Sequence, residues 1–176
     1  PARFDQKKAE SINGDHIRML EAKDFAERLV PYLAAADVFG GEPTHEQLVL
    51  AFRAAPLVQE RMQLLGEAPG MLGFLFADEV SYEADALKGL PANAAEVLDA
   101  CVAALEPVED FTPDAIQQAL SAKLVDEMEL KPRVAYGPPR VALTGRRVSP
   151  PLFESMELLG KDESLRRLRT LADLRR

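Results

Sequence analysis

Residues 149–176, SPPLFESMELLGKDESLRRLRTLADLRR, decide the fold class. The spacing predicts two helices separated at Gly160, because glycine stops the run PPLFESMELL and Asp162 can cap the second helix. Ser149 is the expected cap of the first helix. In the second, Leu165, Leu168, Leu171 and Leu174 recur at helical spacing and are expected to face inward. Arg166, Arg167, Arg169, Arg175 and Arg176 are expected mostly on the outward side.

The same periodicity runs back through the chain. Asp5 can cap a short helix, DQKKAES, closed near Asn13-Gly14, with a second apolar piece from His16 to Leu20. Phe25, Leu29, Leu33 and Ala36 share a face until Gly40-Gly41 stops the run. Thr44 followed by Gln47 is a capping box opening a helix with Leu48, Phe52 and Ala55 on one side. Pro56 either starts a new helix or kinks the old one, and Leu57, Met62 and Leu65 come after it. Residues 91–105 form an alanine-rich helix. Thr112-Pro113 starts another, to about Leu130, striped by Ile116, Leu120, Leu124, Val125 and Met128. KPRVAYGPP, residues 131–139, reads as a loop, and RVAL as one helical turn closed by Thr144-Gly145. No stretch alternates with period two. The chain is expected to be all-α.

Composition narrows the function classes. Hydrophobic residues make up 47% and charged residues 28%, values of a globular chain. No apolar run approaches the roughly 20 residues needed to span a bilayer, and the N-terminus has no apolar leader core. The one cysteine, Cys101, excludes an intrachain disulfide and a cysteine-rich zinc site; within LDACVAALE it reads as a buried thiol. These features predict a cytoplasmic protein with no membrane partner. Pro1 stands where an initiator methionine is usual, so the sequence reads as a piece of a longer chain.

No convergent set of acids, bases or nucleophiles emerges. His16 and His45 are not at metal-ligand spacing and read as surface or cap residues. No GxxxxGK loop is present. Glu96 and Asp99 read as a solvated helical pair. No catalytic, cofactor-binding or metal-binding residue is expected in this chain.

Charge is distributed unevenly. Residues 131–176 carry eleven Lys or Arg against five Asp or Glu, whereas residues 1–130 carry ten against 24. A net +6 segment thus ends a chain of formal charge -8. On the residues alone two readings stay open: a face for an acidic polymer, or an arginine-rich solvated helix. Lys131, Arg133 and Arg140 with Tyr136 between them, then Arg146-Arg147, supply the residue types that hold phosphates and stack on bases.

Residues 139–168, PRVALTGRRVSPPLFESMELLGKDESLRRL, resemble the end of a bacterial glutamyl-tRNA synthetase. FDQKKAESINGDHIR, residues 4–18, is similar to the stretch just after that family's catalytic and stem-contact regions. VQERMQLL and FLFADEVSYE fit between them, so the resemblance covers essentially the whole chain. It implies the anticodon-binding region of a class I aminoacyl-tRNA synthetase, a helical bundle followed by an α-helical cage. The implied divisions are a connector over residues 1–20, a first helical domain over 21–78 and a second over 79–176. The parent is expected to attach glutamate to its tRNA with ATP and Mg²⁺. The HIGH-like and KMSKS-like elements are missing here, so this chain alone is expected to be non-catalytic and to hold no cofactor.

The implied partners are tRNA for glutamate and the missing catalytic and stem-contact domains, with no role for DNA. Arg61 falls where the family reads the third anticodon base, leaning toward rejection of tRNA for glutamine; Glu60 beside it either orients or competes for it. Arg140, Ser149, Pro150 and Leu152 match the contacts to the first two anticodon bases. Arg146, Arg147, Lys161, Lys7 and Lys8 are expected on the tRNA backbone. The family's aliphatic-Pro-Leu-Arg before ALTG is Gly137-Pro138-Pro139-Arg140 here, which bears on the pose of Arg140. The alternative is a helical protein-interaction module derived from such a domain, without RNA specificity.

Overall fold

The computed structural model describes residues 5–176, and every regular element among them is helical. Phe4, which opens the N-terminal stretch of family resemblance, lies outside the described residues, as does Pro1. The chain divides into two compact units, Pro1–Ala77 and Asp78–Arg176. No helix among the described residues is long and apolar enough to cross a membrane.

The first unit holds α1 (Gln6–Arg18), α2 (Ala22–Ala35), α3 (His45–Ala54), α4 (Pro56–Gln59) and α5 (Ala68–Leu72). Its core is Phe25, Leu29 and Leu33 of α2 against Ala51 and Ala54 of α3, then Val58, Met62 and Leu72. Local chemistry sets several boundaries as the sequence predicts. Asp5 accepts from the Lys8 amide at 3.2 Å. Thr44 and Gln47 form the reciprocal capping box, at 2.9 and 3.2 Å. Pro56 starts α4 rather than continuing α3. Two expectations fail. α2 ends at Ala35, with Ala36 exposed and Asp37 already left-handed at φ 54°, before Gly40-Gly41 is reached. α1 runs unbroken through Asn13-Gly14 to Arg18. Gly14 is buried there, and a methyl on it would lie 3.5 Å from the Gln63 backbone, so packing outweighs glycine's low helix propensity.

The second unit holds α6 (Ala84–Lys88), α7 (Ala94–Leu105), α8 (Pro113–Leu120), α9 (Pro132–Thr144), α10 (Leu152–Leu159) and α11 (Lys161–Leu174). Thr112 caps α8 by accepting from the Ala115 amide at 3.4 Å. Beyond Leu120 the helix widens to a π-helical stretch, Ser121–Glu127, and stops before Glu129, whose φ is 53°. α11 lies along α7, and α10 against α8. Leu98, Cys101, Leu105, Ile116, Leu120, Leu143, Met156, Leu168 and Leu171 meet in one core.

Five sequence expectations fail in this unit. Residues 131–139 are not a loop: α9 is a 13-residue helix with Pro138 and Pro139 inside it. A proline within a helix costs about 3 kcal/mol, because it deletes an amide donor and crowds the carbonyl four residues back. Burial of Ala135, Pro138, Pro139, Val141, Ala142 and Leu143 offsets that cost. Ser149 does not cap α10, and Asp162 does not cap α11: the caps are Pro151 and Gly160, neither making a side-chain bond. Leu174 is 59% exposed, whereas Arg167 is only 2% exposed and lies in the core.

The arginines of α11 are largely neutralised within the unit. Arg166 and Arg167 both bind Glu163, Arg169 binds Glu106 at 2.5 Å, and Arg176 binds Asp99 and Asp173. The basic C-terminal segment therefore splits in two. Its last helix carries internally paired cations, and its other arginines lie earlier, on α9 and the turn after it.

Burial pushes the Cys101 thiol up to about 12. Since the thiolate is the reactive form, the native chain at pH 8 is expected to resist a maleimide and to label fully only in denaturant. Intact mass after timed exposure checks this; prompt labelling of the folded chain contradicts it.

Candidate nucleic-acid interface

The site is built on the end of α9 and the turn beyond it. Gly145 terminates the helix in the left-handed conformation, φ 74°, with its amide donating to the Val141 carbonyl at 2.8 Å. The Thr144 hydroxyl donates to the Arg140 carbonyl at 2.8 Å and accepts from the Arg146 amide at 3.2 Å. From the other side, the Glu83 amide donates to the Gly145 carbonyl at 2.9 Å, and the Glu83 carboxylate pairs with Arg146 at 3.0 Å. Arg167 Nη1 donates to the Leu143 carbonyl at 2.7 Å. The turn is tied at every step.

Past it the chain is exposed at Arg146, Arg147 and Val148, then buries Ser149 and Pro150. Arg140 spans the gap: its Nη1 donates to Ser149 Oγ at 2.7 Å and to the Pro150 carbonyl at 3.0 Å. Ser149 Oγ also lies 3.0 Å from that carbonyl, and so accepts from Arg140 and donates to Pro150. Three of the four C-terminal residues singled out in the sequence thus form one hydrogen-bonded junction. The fourth, Leu152, is 4% exposed and supports the junction from the core.

Beside this junction opens a cleft of about 840 Å³, with α9 on one side and the α6–α7 connection on the other. Arg133, Arg140 and Arg147 line it, and among its described lining residues there is no carboxylate. Leu90, Pro91, Val134 and Val148 supply apolar wall. Tyr136 also lines it, but its ring packs edge-on against Phe153 at 5.5 Å, which holds the aromatic face in place. Gly89 matters by closeness: a methyl there would lie 3.3 Å from the Arg147 guanidinium. Guanidinium groups grouped with apolar surface suit a polyanion whose bases are splayed out, the groups holding phosphates while the wall packs on rings.

The remaining sequence-predicted residues fall elsewhere. Lys161 donates to the carbonyls of Glu106 and Val108, at 2.6 and 2.8 Å, and so closes the C-terminal end of α7. Arg61, Lys7 and Lys8 belong to the first unit, all three exposed. Arg61 stands just after α4 between the buried Val58 and Met62. Sequence reasoning missed Val148, 84% exposed at the cleft. The available signal was an apolar residue between an arginine pair and a serine, where a plain turn would be polar.

The family of the anticodon binding domain matches residues 24–172. A glutamate–tRNA ligase of Leifsonia xyli subsp. xyli (strain CTCB07) is 61% identical over 172 residues, covering 96% of this chain and 35% of the relative. One from Paenarthrobacter aurescens (strain TC1) is 60% identical over 171 residues, covering 96% and 34%. The chain thus spans about a third of the length of these curated relatives. Among solved structures, a glutamate tRNA ligase from Elizabethkingia meningosepticum CCUG26117 matches with a TM-score of 0.81 at 21% identity, over 99% of this chain and 34% of that one. The all-helical fold is that of the corresponding region of such ligases. With a family match running from residue 24 to residue 172, through both units, the chain belongs to the anticodon binding domain family, as a homologue of the anticodon-binding region of glutamate–tRNA ligases.

Proposed function

We propose that this chain binds tRNA for glutamate at its anticodon, as the recognition part of a glutamate–tRNA ligase. The observation that carries the reading is the Arg140–Ser149–Pro150 junction at the edge of a cleft lined by three arginines. Binding there presents bases to a preorganised fork, while Arg147 and Arg133 hold the backbone. In the first unit, Arg61 reads the third anticodon base: its donor fork suits the carbonyl and ring nitrogen of cytosine, and guanine presents a bulkier frame with different acceptors. This favours tRNA for glutamate over tRNA for glutamine. Lys7 and Lys8 on α1 touch the tRNA backbone. Lys161 acts within the fold.

The reaction of the whole protein is the attachment of glutamate to tRNA with ATP and Mg²⁺, and this chain makes it conditional on the anticodon. Among the described residues no group of three or more His, Cys, Asp and Glu side chains is placed to hold a metal ion.

The test is low-salt binding of the 176-residue chain to transcript tRNA for glutamate and to the same transcript with its third anticodon base changed from C to G. Wild type is expected to prefer the C transcript by roughly tenfold, the low end of what one good base contact supplies. Arg61→Ala is expected to bind both alike. Arg147→Ala is expected to weaken both equally and to reduce the slope of log affinity against log salt by about 1. Equal binding of both transcripts by wild type removes the specificity reading; binding to neither removes the RNA reading altogether.

A further inference from the structure

We infer that α1 is a positioning element for Arg61, and that Gln59 and Asn13 carry this role. The inference rests on the reading of Arg61 as the contact to the third anticodon base. Arg61 is borne on a turn rather than a helix, and recognition by a donor fork requires its pose to be held within about half an ångström. Turns do not supply that precision unless neighbouring elements tie them down.

Such ties stand two residues to either side of Arg61. Before it, Gln59 Nε2 donates to the carbonyls of Ile17 and Leu20, at 2.9 and 2.8 Å. These carbonyls lie where α1 gives way to α2; the Ile17 carbonyl also accepts from the Leu20 amide at 3.2 Å, so Gln59 binds a chain end that is itself closed by a turn. After it, the Gln63 carbonyl accepts from Asn13 Nδ2 of α1. The Gln63 amide donates to Glu67 Oε2 at 3.2 Å, so the backbone of this residue is fixed at both its polar groups. Between the two ties, the Arg61 amide donates to the Val58 carbonyl at 3.0 Å, and the flanking Val58 and Met62 are fully buried. Gly14 brings α1 against Gln63 at this point. Both ties oppose movement of the turn away from α1. The segment expected from sequence to be a broken connector is, in the structure, one continuous helix tied to the turn that bears Arg61.

A merely structural role for Gln59 and Asn13 would lower stability and leave base preference alone, whereas a positioning role lowers the preference itself. The experiment is therefore the ratio of affinities of the 176-residue chain for the C and G transcripts, in wild type, Gln59→Leu, Asn13→Ala, the double variant and Arg61→Ala. The expected result is a loss of roughly threefold in the ratio for each single variant, and a double variant near Arg61→Ala. Asn13 is exposed, so Asn13→Ala retains the fold and keeps the question answerable if Gln59→Leu does not fold; circular dichroism confirms which variants are intact. An unchanged ratio in folded variants, with Arg61→Ala losing the preference, overturns the role of α1 alone. Full preference in Arg61→Ala, or none in wild type, overturns the reading of Arg61 and this inference with it.

Discussion

Gly145→Ala is expected to destabilise the second unit by about 3 kcal/mol or more, the largest effect of any single methyl addition in that unit. Two penalties add. The backbone at Gly145 has φ 74°, which costs a residue with a Cβ about 1–2 kcal/mol. The added methyl would also stand 2.0 Å from the Ser81 carbonyl oxygen and 2.9 Å from its carbon. Both are backbone atoms, so neither can swing away as a side chain does. Relief requires the turn and residues 80–83 to separate, which breaks the Glu83 amide to Gly145 carbonyl bond and loosens the Arg146–Glu83 pair. Hydrogen exchange of the α7, α9 and α11 amides in the variant and wild type measures this; equal protection would contradict it. On the proposed reading of the site, tRNA affinity is expected to fall too, because the same turn delivers Ser149 and Pro150 to Arg140.

Chemistry that closes over a few residues is legible in the sequence. Thr44 with Gln47, Thr112 before Pro113, and Gly160 each act on neighbouring amides or on local backbone geometry, and each lies at a helix boundary. The misread positions are those where a distant packing partner overrides a local preference. A Pro-Pro pair inside α9 is tolerated because the segment around it is buried. Gly14 continues α1 because the helix lies against Gln63. Ser149 has the residue type and spacing of a cap, yet its hydroxyl is taken by Arg140, nine positions back in sequence. For the site, residue types alone pointed to Arg133, Tyr136, Arg140 and Arg147, which line the cleft, whereas Pro150 entered only through the family resemblance. Periodicity and spacing carry no information on the opposite wall of the cleft, Gly89 to Pro91, because it comes from a separate segment. Charge counting over the basic C-terminal segment overstated the free basic surface, since it takes no account of which cations a fold pairs internally.

Arg167→Met is expected to cost about 3–5 kcal/mol, the range for breaking a buried ion pair by removing one partner. Arg167 is 2% exposed; its Nε donates to Glu163 at 2.5 Å and its Nη1 to the Leu143 carbonyl at 2.7 Å. Methionine keeps most of the apolar stem but leaves that carbonyl without this donor and Glu163 with Arg166 alone. Its position on α11 explains the burial: it falls three residues after Ser164 and four before Leu171, both buried. Arg166→Ala, by contrast, removes an arginine whose side chain is 47% exposed and should cost about 1 kcal/mol or less. Acidity separates the two roles further. The hydrogen bond from Arg166 holds the Glu163 carboxyl below its ordinary 4.5, with burial opposing and Arg167 adding to the depression. A carboxylate depressed in the folded state stabilises the fold fully above its unfolded pKa, and this is lost as pH falls through the folded value. Wild type is therefore expected to lose stability below about pH 4.5, and Arg167→Met to lose less over the same interval because part of the Glu163 interaction is already gone. Urea unfolding midpoints at pH 7 and at about pH 3.5 measure both claims. A pH 7 midpoint for Arg167→Met equal to that of Arg166→Ala would show that the buried guanidinium contributes no more than a surface pair, and that the end of α9 is held by packing and the other hydrogen bonds of its turn.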